Sequence, residues 1–188
     1  MTDERGQPVG TVSRGRVALT GALIVLTLGG CSAVGAGSPG PLTTSQGTEC
    51  GFIPATGAPL IFGLPMRNPT DGSLTLTSAS LGDIRNLSIR ELTVIDVRYG
   101  GVGIWPFPAT GLSGNWERQW ADRKAVSGFV VKPGAKKELL VTVSLKPGHH
   151  VGGFTGDSIS YTDARQHRYL AQGTTLITVA DKRTKGCG

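Results

Sequence analysis

Residues 132–148 read KPGAKKELLVTVSLKPG, and this stretch decides the fold. It begins and ends with a Lys-Pro-Gly turn sequence, and between the turns every second residue from Leu139 to Leu145 is aliphatic. That period of two is typical of a β-strand, whose side chains alternate between its two faces. Because residues 126–131 are also apolar and precede the first turn, the sequence predicts a β-hairpin across residues 132–135.

The same pattern extends outward from this hairpin in both directions. Further strand-like segments, bounded by Gly, Pro and Asn, cover residues 60–66, 74–81, 87–97, 154–161 and 169–179. Gly63 and Pro65 favour an edge strand or a bulge in the first of these. A slip in the alternation near Glu91 and Leu92 indicates a bulge or a break in the third. With almost no helical periodicity, these strands predict an all-β fold of two packed antiparallel sheets.

The predicted body resembles an immunoglobulin-like sandwich. The resemblance lies in the seven or eight short strands, spaced 8 to 15 residues apart, with turn residues between them. The sequence lacks the internal cysteine pair and intervening tryptophan that mark antibody domains. The resemblance therefore concerns architecture alone and implies no activity.

An uncharged apolar run covers residues 17–28 and follows two basic residues, Arg14 and Arg16. Its length is typical of the hydrophobic region of a signal peptide and falls short of the roughly 20 residues that cross a bilayer. The run leads into an aliphatic residue, two small residues and a cysteine: Leu28, Gly29, Gly30 and Cys31. This sequence resembles the lipobox of bacterial lipoprotein precursors.

The lipobox resemblance implies how the chain is processed and where it works. Residues 1–30 would be removed as a signal peptide, and Cys31 would become the new N-terminus, carrying fatty-acyl chains such as palmitate. The mature protein would then be anchored in the cell membrane at its extracytoplasmic face. A plain secretory signal with another cleavage site, or an uncleaved N-terminal anchor, is the alternative.

The mature composition points to one domain with a positive charge. Residues 31–188 contain 16 Lys and Arg against 11 Asp and Glu, a net charge of about +5. This balance favours contact with anionic lipid headgroups or an acidic wall polymer, and a location outside the cell argues against nucleic acid. Another envelope protein is a further candidate partner. A solvated positive surface is the alternative, and the oligomeric state stays open.

The segment that follows Cys31 has the composition of a linker. Residues 31–49 are rich in Gly, Ser, Pro and Thr and show no apolar periodicity. As a flexible coil, the 18 residues after the cysteine would reach about 23 Å. The sequence therefore predicts a flexible linker here and a β-sandwich domain over residues 50–188.

With Cys31 assigned to the lipid, Cys50 and Cys187 are left at the two ends of the domain. An oxidising compartment makes their pairing as a disulfide the prediction. Their 137-position separation corresponds to about 5 kcal/mol of loop-closure entropy in the chain-entropy model. Metal ligation or free thiols are the alternatives, and no neighbouring histidine in the sequence supports them.

One long connection, residues 98–125, does not fit the strand pattern. It contains the aromatic residues Trp105, Phe107, Trp116 and Trp120. Asn115 is predicted to cap a short helix over residues 116–124. An aromatic loop on a rigid scaffold is a candidate binding site. The alternative is that the tryptophans are buried at the open end of the sandwich.

The sequence contains neither a zincin motif nor a nucleophile elbow. No carboxylate lies at a zincin spacing from His149, His150 or His167, and no serine lies in a nucleophile elbow. We therefore expect a binding or interaction module with no enzymatic activity and no cofactor. The alternative is an extracytoplasmic lipoprotein that binds copper or another metal through His149 and His150 in a turn, with Met66 or His167 as a third ligand.

Overall fold

The structure is a computed structural model that describes residues 38–98, 101–107, 114–181 and Cys187. All of these residues belong to one of the two compact units of the chain, Gly35–Gly188. The elements in chain order are β1 (Ser38–Pro39), β2 (Thr48–Ile53), β3 (Leu60–Arg67), β4 (Leu74–Leu81), β5 (Leu87–Asp96), β6 (Ile104–Pro106), α1 (Asn115–Ala121), β7 (Lys124–Ala125), β8 (Val130–Val131), β9 (Lys136–Leu145), β10 (Val151–Thr155), β11 (Asp157–Thr162), β12 (Arg168–Gln172) and β13 (Leu176–Asp181). Within these ranges, no helix has the length and apolar character needed to span a membrane.

The strands of the described residues form three hydrogen-bonded sheets. Sheet I has the strand order β6-β3-β9-β5-β7, sheet II the order β1-β12-β11-β4-β8, and sheet III the order β10-β13-β2. The pairings are antiparallel except for β1 with β12 and β13 with β2. The predicted all-β sandwich is confirmed, with a division into three sheets that the alternation of residues did not predict.

Sheets II and III are connected by one long, interrupted hairpin. β10 leads into β11 across Gly156, which has a φ of 74°, and β12 leads into β13 across residues 173–175. At the interruption the Gly156 N–H donates to the Thr175 carbonyl and the Gly173 N–H donates to the Asp157 carbonyl, each at 2.8 Å. The two predicted strands 154–161 and 169–179 are therefore four strands, and sheets II and III together form one layer.

The main core lies between sheet I and this second layer. Its largest buried members come from both sides: Phe62, Leu64, Leu139, Val141 and Val143 from sheet I, and Leu76, Phe154, Ile159, Tyr161 and Ile177 from the opposite layer. The odd-numbered residues of β9 face this core, as the alternation predicts. Burial of these side chains is the principal stabilising term of the fold.

Sheet I is also covered on its outer face. Leu140 points away from the main core and joins a second buried cluster with Ile61, Ile95 and Val102. Phe107 and Trp120, from the long connection, pack against this cluster. Apolar residues therefore occur at adjacent positions of β9 because both faces of the strand are buried.

Two predictions about individual strands have opposite outcomes. The bulge predicted near Glu91 is confirmed, since the pairing of β5 with β9 shifts register between Ile89 and Glu91. The hairpin predicted across residues 132–135 is wrong, because β8 pairs with β4 in sheet II whereas β9 lies in sheet I. Turn residues mark where strands end, but packing decides which strands pair.

The structure differs from the predicted flexible linker over residues 38–49. Residues 38–47, called here the strap, lie against the sheets before the chain enters β2. Thr43 exchanges two backbone hydrogen bonds with Arg67, at 3.0 and 2.9 Å, and the buried Leu42 donates its N–H to the Tyr161 hydroxyl at 3.0 Å. The strap shows no apolar period because it is held mainly by hydrogen bonds. Residues 31–37 of the predicted linker lie outside the described residues.

A buried hydrogen-bond chain fastens the end of the strap. The Ser45 hydroxyl donates to Asp157 Oδ1 at 3.2 Å, and the Thr175 hydroxyl donates to Ser45 Oγ at 2.7 Å. All three side chains are buried. Burial raises the pKa of Asp157, while the hydrogen bond from Ser45 lowers it. Ser45 therefore supplies this carboxyl with one of its few hydrogen-bond donors.

Ser45→Ala is expected to lower the free energy of unfolding by about 1–3 kcal/mol, because it removes the buried hydroxyl that donates to Asp157 Oδ1 and accepts from the Thr175 hydroxyl. The adjacent Gln46 is exposed, so Gln46→Ala serves as the control, with an expected change within about 0.5 kcal/mol. Urea unfolding of both variants measures the difference. Equal stability of the two variants would mean that the strap is not fastened to the domain in solution.

Candidate functional site

The predicted disulfide between Cys50 and Cys187 is present. The two Cα atoms lie 5.7 Å apart, within the usual range for a disulfide. Cys50 lies on β2, at the edge of sheet III, so the bond joins the first strand after the strap to the end of the chain. Cys31 and the predicted signal peptide over residues 1–30 lie outside the described residues, so lipidation stays a prediction.

The aromatic residues of the long connection divide into packed and exposed groups. The rings of Phe107 and Trp120 meet edge to face with their centroids 6.2 Å apart, over the second cluster. The Arg123 guanidinium lies 4.3 Å from the centre of the Trp120 ring. Trp105, on β6, is 37% exposed, and the side chain of Trp116 lies outside the described part. Phe107 and Trp120 thus have a packing role, on the outer face of sheet I rather than at an open end of the sandwich.

The helix in this connection differs from its predicted bounds. α1 covers Asn115–Ala121 rather than residues 116–124. Its N-cap is Gly114, with a φ of 61°, and no side chain caps it. The predicted cap, Asn115, is instead the first helical residue. Gly114 can adopt this positive φ because it has no Cβ.

The histidines proposed as metal ligands have other partners or lie apart. His150, immediately before β10, has its Nδ1 2.7 Å from Oδ2 of Asp181, the last residue of β13. His167 Nδ1 lies 3.0 Å from Asp163 Oδ2, in the turn at the opposite end of the hairpin. Met66 is 2% exposed and belongs to the main core. Among the described residues, no group of three or more His, Cys, Asp or Glu could hold a metal ion.

A cleft of about 640 Å³ opens where β3 and β5 end and β9 begins. Residues 43–46 of the strap form one wall. The other lining residues are Pro65, Met66, Arg67, Val97, Gly101, Lys136, Lys137 and Glu138. The sequence did not predict this site, because the strap has the composition of a linker and no local pattern relates Arg67 to Lys136. Its lining residues come together only through long-range pairing.

Two cations at the mouth of the cleft have no carboxylate partner in the described part of the chain. Arg67 and Lys136 are exposed and lie directly opposite each other in the pairing of β3 with β9. Lys137, by contrast, forms an ion pair with Asp96, and its burial lowers the pKa of the ammonium group. The accessible charge of the cleft is therefore positive.

A buried carboxyl lies deeper in the same cleft. Glu138 is 3% exposed, and its Oε2 accepts the Val102 N–H at 2.7 Å. Burial raises the pKa of Glu138, and the nearby charge of Glu49 raises it further, although the hydrogen bond from Val102 acts in the opposite direction. A Cβ at Gly63 or Gly101 would lie 2.5 Å from a Glu138 carboxyl oxygen, so these glycines leave room for the side chain.

Comparisons with known proteins leave the activity open. No family model matches the chain, and no curated protein is significantly similar to it. The chain is similar to the VesB protease of Vibrio cholerae, with 12% identity and a TM-score of 0.37 over 74% of this chain and 32% of that one. It is similar to the secreted serine protease VesC of Vibrio cholerae, with 9% identity and a TM-score of 0.30 over 72% of this chain and 23% of that one. It is also similar to PapD-like domain 7 of human CEP192, with 10% identity and a TM-score of 0.31 over 73% of this chain and 86% of that one.

The chain spans about a third of VesB and about a quarter of VesC. At these identities and TM-scores, the similarities carry no argument about function.

Trp120→Ala is expected to lower the free energy of unfolding by about 3 kcal/mol, because the ring covers the outer face of sheet I. Trp105→Ala, at a partly exposed edge position, is expected to cost about 1 kcal/mol or less. Chemical denaturation followed by circular dichroism compares the two. A larger loss at Trp105 than at Trp120 would contradict the division into packed and exposed aromatic residues.

Glu138→Gln is expected to raise the free energy of unfolding at neutral pH. Because the pKa of Glu138 is raised above its ordinary value of 4.5, the folded protein holds this proton more tightly than the unfolded chain does. This carboxyl therefore makes stability fall as the pH rises from 4.5 through the raised pKa. Glutamine keeps an oxygen for the Val102 N–H and carries no charge.

Unfolding measured at about pH 5 and about pH 7.5 tests this prediction. The exposed Glu117→Gln removes the same charge from the surface and serves as the control. The Glu138 variant should gain more stability than the control at the higher pH. An unchanged pH dependence in the Glu138 variant would contradict the assignment.

Proposed function

We propose that the protein is a membrane-anchored extracytoplasmic lipoprotein whose β-sandwich domain is a non-catalytic binding module. The cleft beside the strap is its binding site. The observation that carries this proposal is the combination of a cleft of about 640 Å³ with two accessible cations at its mouth, Arg67 and Lys136, which have no carboxylate partner among the described residues. The lipobox resemblance of residues 28–31 supports the anchor.

The cleft has the size and composition of a small-molecule site. Such sites commonly occupy 300–1,000 Å³ and combine apolar walls with a few polar groups. Here Pro65 and Val97 are apolar, while residues 43–46 of the strap carry hydroxyl and amide groups. Hydrogen bonds from Thr43 and Ser45 hold that wall in place. The walls are therefore built before a ligand arrives, which lowers the entropic cost of binding.

The lining of the cleft supports a binding role. None of the residues that line it is a histidine or a cysteine, and Cys50 and Cys187 are joined in the disulfide. The groups that face the cleft are suited to electrostatic and apolar recognition.

The proposed anchor and the strap are separated by a short segment of chain. Seven positions separate Cys31 from Ser38, where the described chain begins. Even fully extended, seven residues reach at most about 25 Å. In the proposed mature protein, the domain would stay near the headgroups, where its net positive charge favours anionic lipids, and an envelope protein or wall polymer is the further partner class. We propose no role for nucleic acid.

Intact-mass analysis of protein extracted from a bacterial membrane fraction is expected to show a chain that starts at Cys31 and carries acyl chains. Stable anchoring needs several acyl chains, so we expect the Cys31→Ser variant to carry no acyl chains and to be absent from the acylated protein of the membrane fraction. Cys187→Ser is the control, because it removes the disulfide and leaves the anchor. A mature chain that starts elsewhere and lacks acyl groups would overturn the proposed anchoring.

A further inference from the structure

We propose that the cleft beside the strap binds a small amphipathic anion, in which one carboxylate or phosphate monoester is attached to an apolar body. This inference rests on the proposed binding function of the domain and names the ligand class of the same site. It follows from the arrangement of charge at the mouth of the cleft and from the apolar wall behind it.

The charge argument starts from the register of sheet I. Arg67 and Lys136 are cross-strand partners, and like charges directly opposite each other on an antiparallel pair destabilise it. Neither residue forms an ion pair with a described carboxylate. An anion held between them would relieve this repulsion. The guanidinium group of Arg67 can also bind a carboxylate or phosphate through two parallel hydrogen bonds.

Glu138 also lines the cleft, but an entering ligand does not meet its negative charge first. Its side chain is buried, and one of its oxygens already accepts the Val102 N–H. Lys137 is likewise committed, to Asp96. Arg67 and Lys136 are thus the exposed charges that an entering ligand meets first, and they favour an anion.

The apolar part of the ligand is required by the rest of the lining. Pro65 and Val97 lie beside the two cations and offer carbon atoms rather than hydrogen-bonding groups. An inorganic anion would leave this surface in contact with water. A ligand with an apolar body removes it from water, which is favourable in proportion to the area covered.

The test uses the full chain carrying Cys31→Ser, so that no protein-bound acyl chain can enter the cleft and the result does not depend on the anchor. Isothermal titration calorimetry compares hexyl phosphate and octanoate with three controls. Inorganic phosphate supplies the head alone, hexanol the body alone, and hexyltrimethylammonium the opposite charge. We expect saturable binding of one equivalent of hexyl phosphate and of octanoate, and much weaker binding of the controls.

Charge variants then locate the site. Arg67→Gln and Lys136→Gln are each expected to weaken binding about tenfold, the loss typical of one charge-assisted hydrogen bond. Lys146→Gln removes an equal charge from an exposed turn outside the cleft and should leave affinity unchanged. Glu138→Gln should tighten binding, because it removes a negative charge from the wall. Thr44→Trp should abolish binding by filling the cleft.

Each variant is checked for a single cooperative thermal unfolding transition before titration, and the transition of Glu138→Gln is expected at a higher temperature. Arg67→Gln and Lys136→Gln provide two independent readings if one of them fails to fold. Equal binding of the ammonium analogue, or loss of binding in Glu138→Gln, would overturn the inference in favour of a cation site. Equal binding of inorganic phosphate would overturn the requirement for an apolar body. Absence of ligand binding by the Cys31→Ser chain, where the wild-type protein is found acylated at Cys31 in the membrane, would overturn the proposed ligand without contradicting the proposed anchor.

Discussion

The burial of sheet I on both faces is the constraint on which the rest of the structure depends. Antiparallel sheets commonly keep one face in water, yet β9 is buried at consecutive positions along most of its length. Each face then needs its own cover. Sheets II and III supply one, and the long connection that carries Phe107 and Trp120 supplies the other. This connection is therefore required for the fold, whether or not its exposed Trp105 also meets a partner.

The strap is held to the domain mainly by hydrogen bonds, because it adds little apolar surface to the core. Leu42 enters the main core, but the strap is otherwise held by backbone pairing at Thr43 and by the chain of hydroxyls that ends at Asp157. Buried polar networks stabilise a structure only when each member finds its partners. The same segment forms a wall of the cleft, so the elements that hold the strap in place also define the candidate site.

The sequence predicts those features whose signals are local. Alternation located β4 and β9, a slip of phase located the bulge in β5, and the number of cysteines located the disulfide. The missed features depend on residues far apart in the chain. Ser45 and Asp157 are 112 positions apart. Similarly, β8 pairs with the distant β4 and not with β9, which follows it in the sequence. Glycines inside two strand patterns, Gly156 and Gly173, were local signs that these predicted strands would divide between two sheets. The cleft had no local sign, because Arg67 and Lys136 become neighbours only in sheet I.

The disulfide also determines how the domain would respond to mechanical force. Tension applied to the chain before Ser38 would first act on the strap, whose hydrogen bonds can be separated one after another. Where the opposing force acts on the C-terminal side of Cys187, the load would meet a covalent bond at Cys50 and pass directly to Cys187, 137 positions further along. The sheets between these two residues would lie off the load path. A pull from the N-terminal side could therefore strip the strap and open the wall of the cleft while the sandwich stayed folded.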